Sequence, residues 1–363
     1  MGEQYERKMS ELLTTQREIA GEIASKLQLK LSGEGEQKLA KKYTDNNEAY
    51  QLYLKGRYFW NKRTPESLRQ AVELYKQAIE KDQSFALALT GLAETYVLFS
   101  FYGVAPPKES MPQAKAAIER ALAIDDSLAE AHAARGKYLA FFEYDRTGSE
   151  REFRRAIELN PRYATAHHWL GLDLLVLTKR FDEGFRELRR AGEIDPLSQV
   201  IISDTAYALS YAGRFDEAID QARKTIELDS DFSQAYTVLG YALDGKGQSA
   251  NAILEYEKAL TLREDGYTRA VLIRALMRAG KRTEAQRQME SLKSLSTKSY
   301  VPNFSFAIAY TALGDKETAI AMLEKDVEER SSYVVTSGVE LALDKLRDDQ
   351  RFKDLLKRMG LPE

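Results

Sequence analysis

Apolar residues recur every three or four positions from Pro196 to Glu264, the spacing that gathers them on one face of a helix. The stretch divides into PLSQVIISDTAYALSYAGRFDEAIDQARKTIELDS and DFSQAYTVLGYALDGKGQSANAILEYEKALTLRE, which superimpose at a spacing of 34 residues. Ala206 falls on Gly240, Leu209 on Leu243, Gly213 on Gly247, Ala218 on Ala252 and Thr225 on Ala259. Each half predicts two amphipathic helices joined by a glycine, which takes the left-handed conformation without steric cost where the first helix stops. The small residues let paired helices approach closely.

The same pattern runs through most of the chain. A first unit covers Asn46–Gln83, with Gly56 at the tight position and Pro65 opening the second helix after a long turn. A second covers Ser84–Asp126 and carries an aromatic insertion, LFSFYGVAPPKESMP. We expect Phe99, Phe101 and Tyr102 to fold back on their own unit; a contact surface is the alternative. Gly136 and Gly171, 35 residues apart, mark the third and fourth units, whose second helices end in ELNP and EIDP. Gly280 and Gly314 mark the seventh and eighth. Beyond Val327 the register fades, and Leu346, Phe352, Leu355, Leu356 and Met359 are expected to cap the stack. At the other end, residues 4–31 form a helical stripe, read as a cap on the first unit. Dimerisation or a link to an upstream domain are the alternatives.

A 34-residue helix–turn–helix unit with this pattern resembles the tetratricopeptide repeat. The resemblance covers residues 46–326 and implies an all-α, right-handed superhelical solenoid of about eight helix pairs. It implies three parts: a connecting or capping helix over 1–45, the array over 46–326 and capping helices over 327–363. A narrower resemblance rests on NEAYQLYLKGRYFWNKRTPESLRQAVELYKQAI, SLAEAHAARGKYLAFFEYD, LRDDQRFKDLLKRMGLP and the helix QREIAGEIASKLQLKL. These look like the repeat regions that follow cyclase, winged-helix or kinase domains in bacterial signalling proteins. The sequence holds no glycine-rich phosphate loop, kinase H-R-D or D-F-G, or basic recognition helix.

Composition removes several classes. Fifty-three basic residues against 56 acidic ones give a net charge of −3, so no global field favours nucleic acid or a membrane surface. With no cysteine and three histidines, disulfides, thiolate chemistry and a histidine-rich metal site are unsupported, and no cofactor is expected. The opening MGEQYERKMSELL lacks the apolar core of a signal peptide, and no later run reaches the ~18 apolar residues of a membrane span, so a cytoplasmic location is expected.

His132 and His167 hold equivalent positions and are read as packing between helices, whereas His168 should face the groove. Asp182-Glu183 and Asp216-Glu217 open second helices, where carboxylates complement the helix dipole. No nucleophile, base and oxyanion donor can be assembled, so the expected function is non-catalytic. In the family, peptides bind the concave face lined by first helices. By position that lining comprises Tyr53, Arg57, Trp60, His168, Tyr207, Tyr211, Tyr241, Asp244, Arg274 and Arg278. The family's carboxylate clamp is absent, its positions holding Ser203, Tyr207, Thr237 and Tyr241. The expected ligand is a protein or peptide segment combining an aromatic or apolar anchor with an acidic residue, read by tyrosines and by Arg274 and Arg278. The alternative is a sensory or regulatory array whose output domain lies elsewhere.

Overall fold

The computed structural model describes residues 43–362, so the expectations for the helix over 4–31, as cap or as dimer contact, lie outside the described residues. Eight consecutive helix pairs follow: α1 (Asn47–Asn61) with α2 (Pro65–Lys81), α3 (Ala86–Tyr96) with α4 (Pro107–Ile124), α5 (Ala129–Tyr138) with α6 (Arg146–Leu159), and α7 (Ala164–Trp169) with α8 (Phe181–Ile194). The second half pairs α9 (Gln199–Tyr211) with α10 (Phe215–Leu228), α11 (Ser233–Gly245) with α12 (Ser249–Leu262), α13 (Gly266–Arg278) with α14 (Arg282–Ser296), and α15 (Asn303–Leu313) with α16 (Lys316–Glu329). Two short 3-10 turns, Tyr333–Thr336 and Leu341–Leu346, lead to α17 (Gln350–Arg358). The described residues form an all-helical solenoid. No described helix is long and apolar enough to cross a membrane.

Local chemistry sets the boundaries. Asn46 caps α1 by accepting the Ala49 N–H at 3.1 Å. Thr64 and Ser67 form a reciprocal capping box at the start of α2, with Pro65 just inside it, where a missing amide donor costs nothing. Glu183 and Glu217 sit in first turns and are each gripped by the arginine that precedes the helix, Arg180 and Arg214, at 2.6–2.8 Å.

Two classes of glycine do different work. Gly171, just past the end of α7, packs against α8, and a Cβ there would lie 2.9 Å from the Gly184 carbonyl and 3.0 Å from Leu188. Gly213 instead turns the chain at φ +74° with open space around it. The third and fourth units use Tyr144 (φ 60°) and Lys179 (φ 61°) at that turn. They also carry one more residue between tight contact and turn. Gly136 to Tyr144 and Gly171 to Lys179 are eight steps, against seven from Ala206 to Gly213 and from Gly240 to Gly247. The extra residue widens the helix into a π segment in each case, Leu139–Glu143 and Leu170–Val176.

Leu346, Phe352, Leu355, Leu356 and Met359 are all buried. The segment before them does something periodicity does not foresee. It crosses the concave side, where Glu340 accepts from the hydroxyls of Tyr241 at 2.7 Å and Tyr267 at 3.0 Å. Tyr333 stacks on Tyr267, with ring centroids 5.4 Å apart, and on Phe304 at 6.1 Å.

The insertion after α3 splits in its behaviour, which corrects the expectation of a wholly folded-back loop. Phe99 packs on Tyr96 of its own unit at 5.2 Å. Phe101 reaches across the molecule, 5.1 Å from Phe141 and 5.2 Å from Tyr333, and its carbonyl accepts the Tyr333 hydroxyl at 3.2 Å. The Ser100 and Ser332 hydroxyls share a buried hydrogen bond. Further along the seam, Arg263 donates to the Arg63 carbonyl at 3.4 Å, and Arg146 to the Met359 carbonyl at 3.1 Å. The early units therefore meet the late ones, and the solenoid closes on itself.

Candidate ligand cavity

Closure leaves a central cavity of about 130 Å³ between the second unit's insertion, the first helices of the middle units and the Tyr333 segment. A dry cavity of roughly this size can hold one benzene-sized molecule. Its floor comes from the π segment of the fourth unit. There Asp173 accepts from Lys137, both being more than nine-tenths buried, and the Lys137 ammonium lies 4.8 Å from the Phe141 and Trp169 ring centres. Burial pushes the Asp173 carboxyl above its ordinary range, and Lys137 and His168 only partly offset this.

On the neighbouring wall, Asp204 of α9 accepts on both oxygens, from His168 Nε2 at 2.9 Å and Gln234 at 2.7 Å. Asp265 caps α13 by accepting the Thr268 N–H and hydroxyl, each at 2.7 Å. The lining is aromatic: Tyr207 and Tyr211 stack on each other, ring centroids 6.1 Å apart, and Tyr102 and Phe101 line the same space. Burial pushes the Tyr207, Tyr211 and Tyr267 hydroxyls up, so all three are neutral donors at any physiological pH.

The mouth is basic. Arg63 is 7% exposed, lies with its guanidinium 3.5 Å from the Trp60 ring centre, and occupies a left-handed turn at φ 53°. Burial lowers its pKa and outweighs the opposing effect of Tyr102, and neighbouring Arg57 lowers it further against Glu94 and Asp204. Arg263 stands beside it, 5.6 Å from the Tyr102 ring centre.

The ten residues placed on the groove by position divide into three sets. His168, Tyr207 and Tyr211 line the cavity. Tyr241 and Asp244 are fully buried: Tyr241 holds Glu340, and Asp244 takes Ser249 at 2.6 Å. Arg274 and Arg278 turn onto that same Asp244, Arg278 at 3.4 Å, so their charge is met from within the chain. Tyr53, Arg57 and Trp60 form a separate cluster in the first unit. There Arg57 pairs with buried Glu94, which also takes the Tyr163 hydroxyl, and Tyr53 packs 5.4 Å from Phe85.

His132 and His167 are as read, each bridging Nδ1 to a glutamate of the partner helix (Glu152 at 2.7 Å, Glu187 at 2.6 Å) and Nε2 to a carbonyl. Sequence reasoning missed Arg63, Arg263, Lys137, Asp173 and Glu340. Arg63 and the 35-residue spacing behind Asp173 carry a signal, namely a turn without its glycine and a helix with a residue too many. Arg263 and Glu340 carry none, because their roles arise from closure.

Residues 203–267 match the tetratricopeptide repeat family. No curated protein matches the sequence. Among solved structures, a chain of the APC/C hetero-tetramer Cut9–Hcn1 aligns at 14% identity, covering 86% of this chain and 55% of that one with a TM-score of 0.54. Yeast Tom70 aligns at 16% identity over 87% of this chain and 69% of its own, with a TM-score of 0.49. A tetratricopeptide repeat protein from Parabacteroides merdae aligns at 15% identity over 87% and 100%, with a TM-score of 0.43. At such identities the likeness is one of fold, and it rests on the first of the three. Residues 203–267 are thus a tetratricopeptide-repeat segment, set within a solenoid of helix pairs that runs through the described chain.

Proposed function

We propose that this chain is a non-catalytic regulatory module that senses a small molecule in its central cavity and passes the occupied state to a protein partner. The observation that carries the reading is closure: the Ser100–Tyr102 insertion meets the Ser332–Tyr333 segment over a cavity walled by aromatic and buried charged groups. Tetratricopeptide proteins generally act by binding other proteins, which supports an outer face as the output side.

A partner peptide lying along the concave face is the other reading. It meets a groove in which Tyr333 and Glu340 of the same chain already supply an aromatic anchor and an acid. That segment is bedded in the core through Val334, Val335, Val339 and Leu343, all buried, so displacing it would expose apolar surface at about 25 cal/mol per Å². A small ligand needs no such displacement. The groups in the cavity that could transfer protons are committed to each other, Lys137 to Asp173 and His168 to Asp204, which supports binding over catalysis.

The test is a panel of small molecules screened by ligand-observed NMR against the full chain and against Val200→Phe, which fills the cavity from α9. Compounds that bind the parent and not the variant are expected, with hydrogen exchange slowed across residues 98–103 and 331–346. A panel without cavity-dependent binders would contradict the proposal.

A further inference from the structure

Three inward-facing cations among the described residues are met by carboxylates: Arg57 by Glu94, Lys137 by Asp173, and Arg274 by Asp244; Arg146 is met by the Met359 and Ala140 carbonyls. Arg63 and Arg263 are different. Among the described residues neither has a carboxylate within ion-pair distance, and the Nε of each is buried without an acceptor. Among the described residues Arg63 has no side-chain hydrogen-bond partner, although it is more than nine-tenths buried. Arg263 spends one N–H on the Arg63 carbonyl, which ties the two together across the closure seam.

Both arginines line the cavity, and both also line the hollow outside it between Lys62 and Gln234, so they stand at its mouth. Glu66, Asp229 and Asp231 border that hollow, and none of them forms an ion pair with either guanidinium. Stacking on Trp60 fixes the plane of the Arg63 guanidinium and leaves its donor edge unused. A planar fork of this kind is shaped for an oxyanion, and two of them suit a carboxylate. Behind the mouth lie flat aromatic faces, Tyr102, Tyr207 and Tyr211, and a space for about one ring. Inside the cavity Asp204, already fixed by His168 and by Gln234 of the mouth, keeps acceptor capacity for a ligand hydroxyl or ammonium.

We infer that the cavity is a site for a small aromatic carboxylate, its carboxylate held by Arg63 and Arg263 and its ring between the tyrosines. This rests on the ligand-sensing reading above and names the ligand's chemistry. Binding supplies the missing counter-charge at the seam where the first and sixth units meet. The ligand is therefore also a clamp on closure.

Calorimetry and thermal melts on the full chain test this with benzoate, its neutral isostere benzamide, and inorganic phosphate as probes. Benzoate is expected to bind, to raise the melting temperature, and to outbind benzamide by about tenfold or more, since charge-assisted hydrogen bonds are the difference between them. Arg63→Gln should weaken benzoate by about tenfold or more and leave benzamide unchanged. Arg263→Gln, at the half-buried partner, should show the same selective loss and serves should Arg63→Gln fold poorly. Equal binding of benzoate to parent and both variants would overturn the assignment. So would phosphate binding more tightly than benzoate, which would make the site one for inorganic oxyanions. Benzamide binding as well as benzoate would refute the anion and leave the sensor reading intact. If none of the probes binds, the carboxylate assignment falls, and the Val200→Phe panel decides the sensor reading separately.

Discussion

His132 and Glu152 show what a single position in this solenoid does. Burial alone would lower the His132 pKa, but its hydrogen bond to Glu152 raises it above the ordinary 6.5. Burial raises Glu152, and His132 with Arg135 brings it below its ordinary 4.5. A raised histidine stabilises the fold below its unfolded pKa and stops doing so as pH rises through the folded one. A depressed glutamate stabilises above its unfolded pKa and stops as pH falls through the folded one. The pair is therefore most stabilising between these ordinary values, 4.5 and 6.5. His132→Gln should lower the melting temperature more near pH ~5.5 than near ~8.5. An equal loss at both would show that the pair is not what the histidine contributes.

Glu340 carries a heavier load, because three donors converge on it: two tyrosine hydroxyls and the Ala342 N–H at 2.9 Å. Glu340→Ala should cost about 1–3 kcal/mol for each buried hydroxyl left without an acceptor, with Glu340→Gln much milder, measured by denaturant unfolding. Gly171→Leu should cost roughly 1–3 kcal/mol by overpacking against Gly184 and Leu188. A parental unfolding midpoint would remove Gly171 from the helix contact. At this scale the sequence was readable where a residue's role repeats, as for His132 and His167. It is unreadable where a residue answers to another unit, as for Arg274, which the sequence offers to a ligand and the fold turns onto Asp244.

Among the elements, the helix pairs follow from spacing alone, because each pair packs on its sequence neighbours. Even the π segments are latent in the 35-residue intervals from Gly136 to Gly171 and from Gly171 to Ala206. The residues 331–346 were not, since SSYVVTSG has no helical period and gains its structure from Tyr241, Tyr267 and Phe304. Truncation after Arg330 should uncover those rings, raise binding of a hydrophobic dye and lower the melting temperature. A truncated protein that melts like the parent and binds no more dye would mean that the segment is dispensable to the fold.

The whole molecule departs most from a row of repeats. Nearest-neighbour packing predicts an open superhelix, whereas Ser100 meets Ser332 across 232 positions of sequence. No periodic signal encodes such a contact, because it depends on how small rotations between units add up over the array. Closure makes the cavity, seats the C-terminal segment, and sets Arg63 against Arg263. Everything proposed about function depends on it. The sequence contains no cysteine, so spin labels can be placed cleanly at Lys62→Cys and Asp231→Cys, exposed positions that flank the seam on the first and sixth units. Pulsed dipolar spectroscopy on that doubly labelled chain should give one narrow distribution at the short end of the measurable range. A broad distribution at long separation would show an open solenoid and contradict the account.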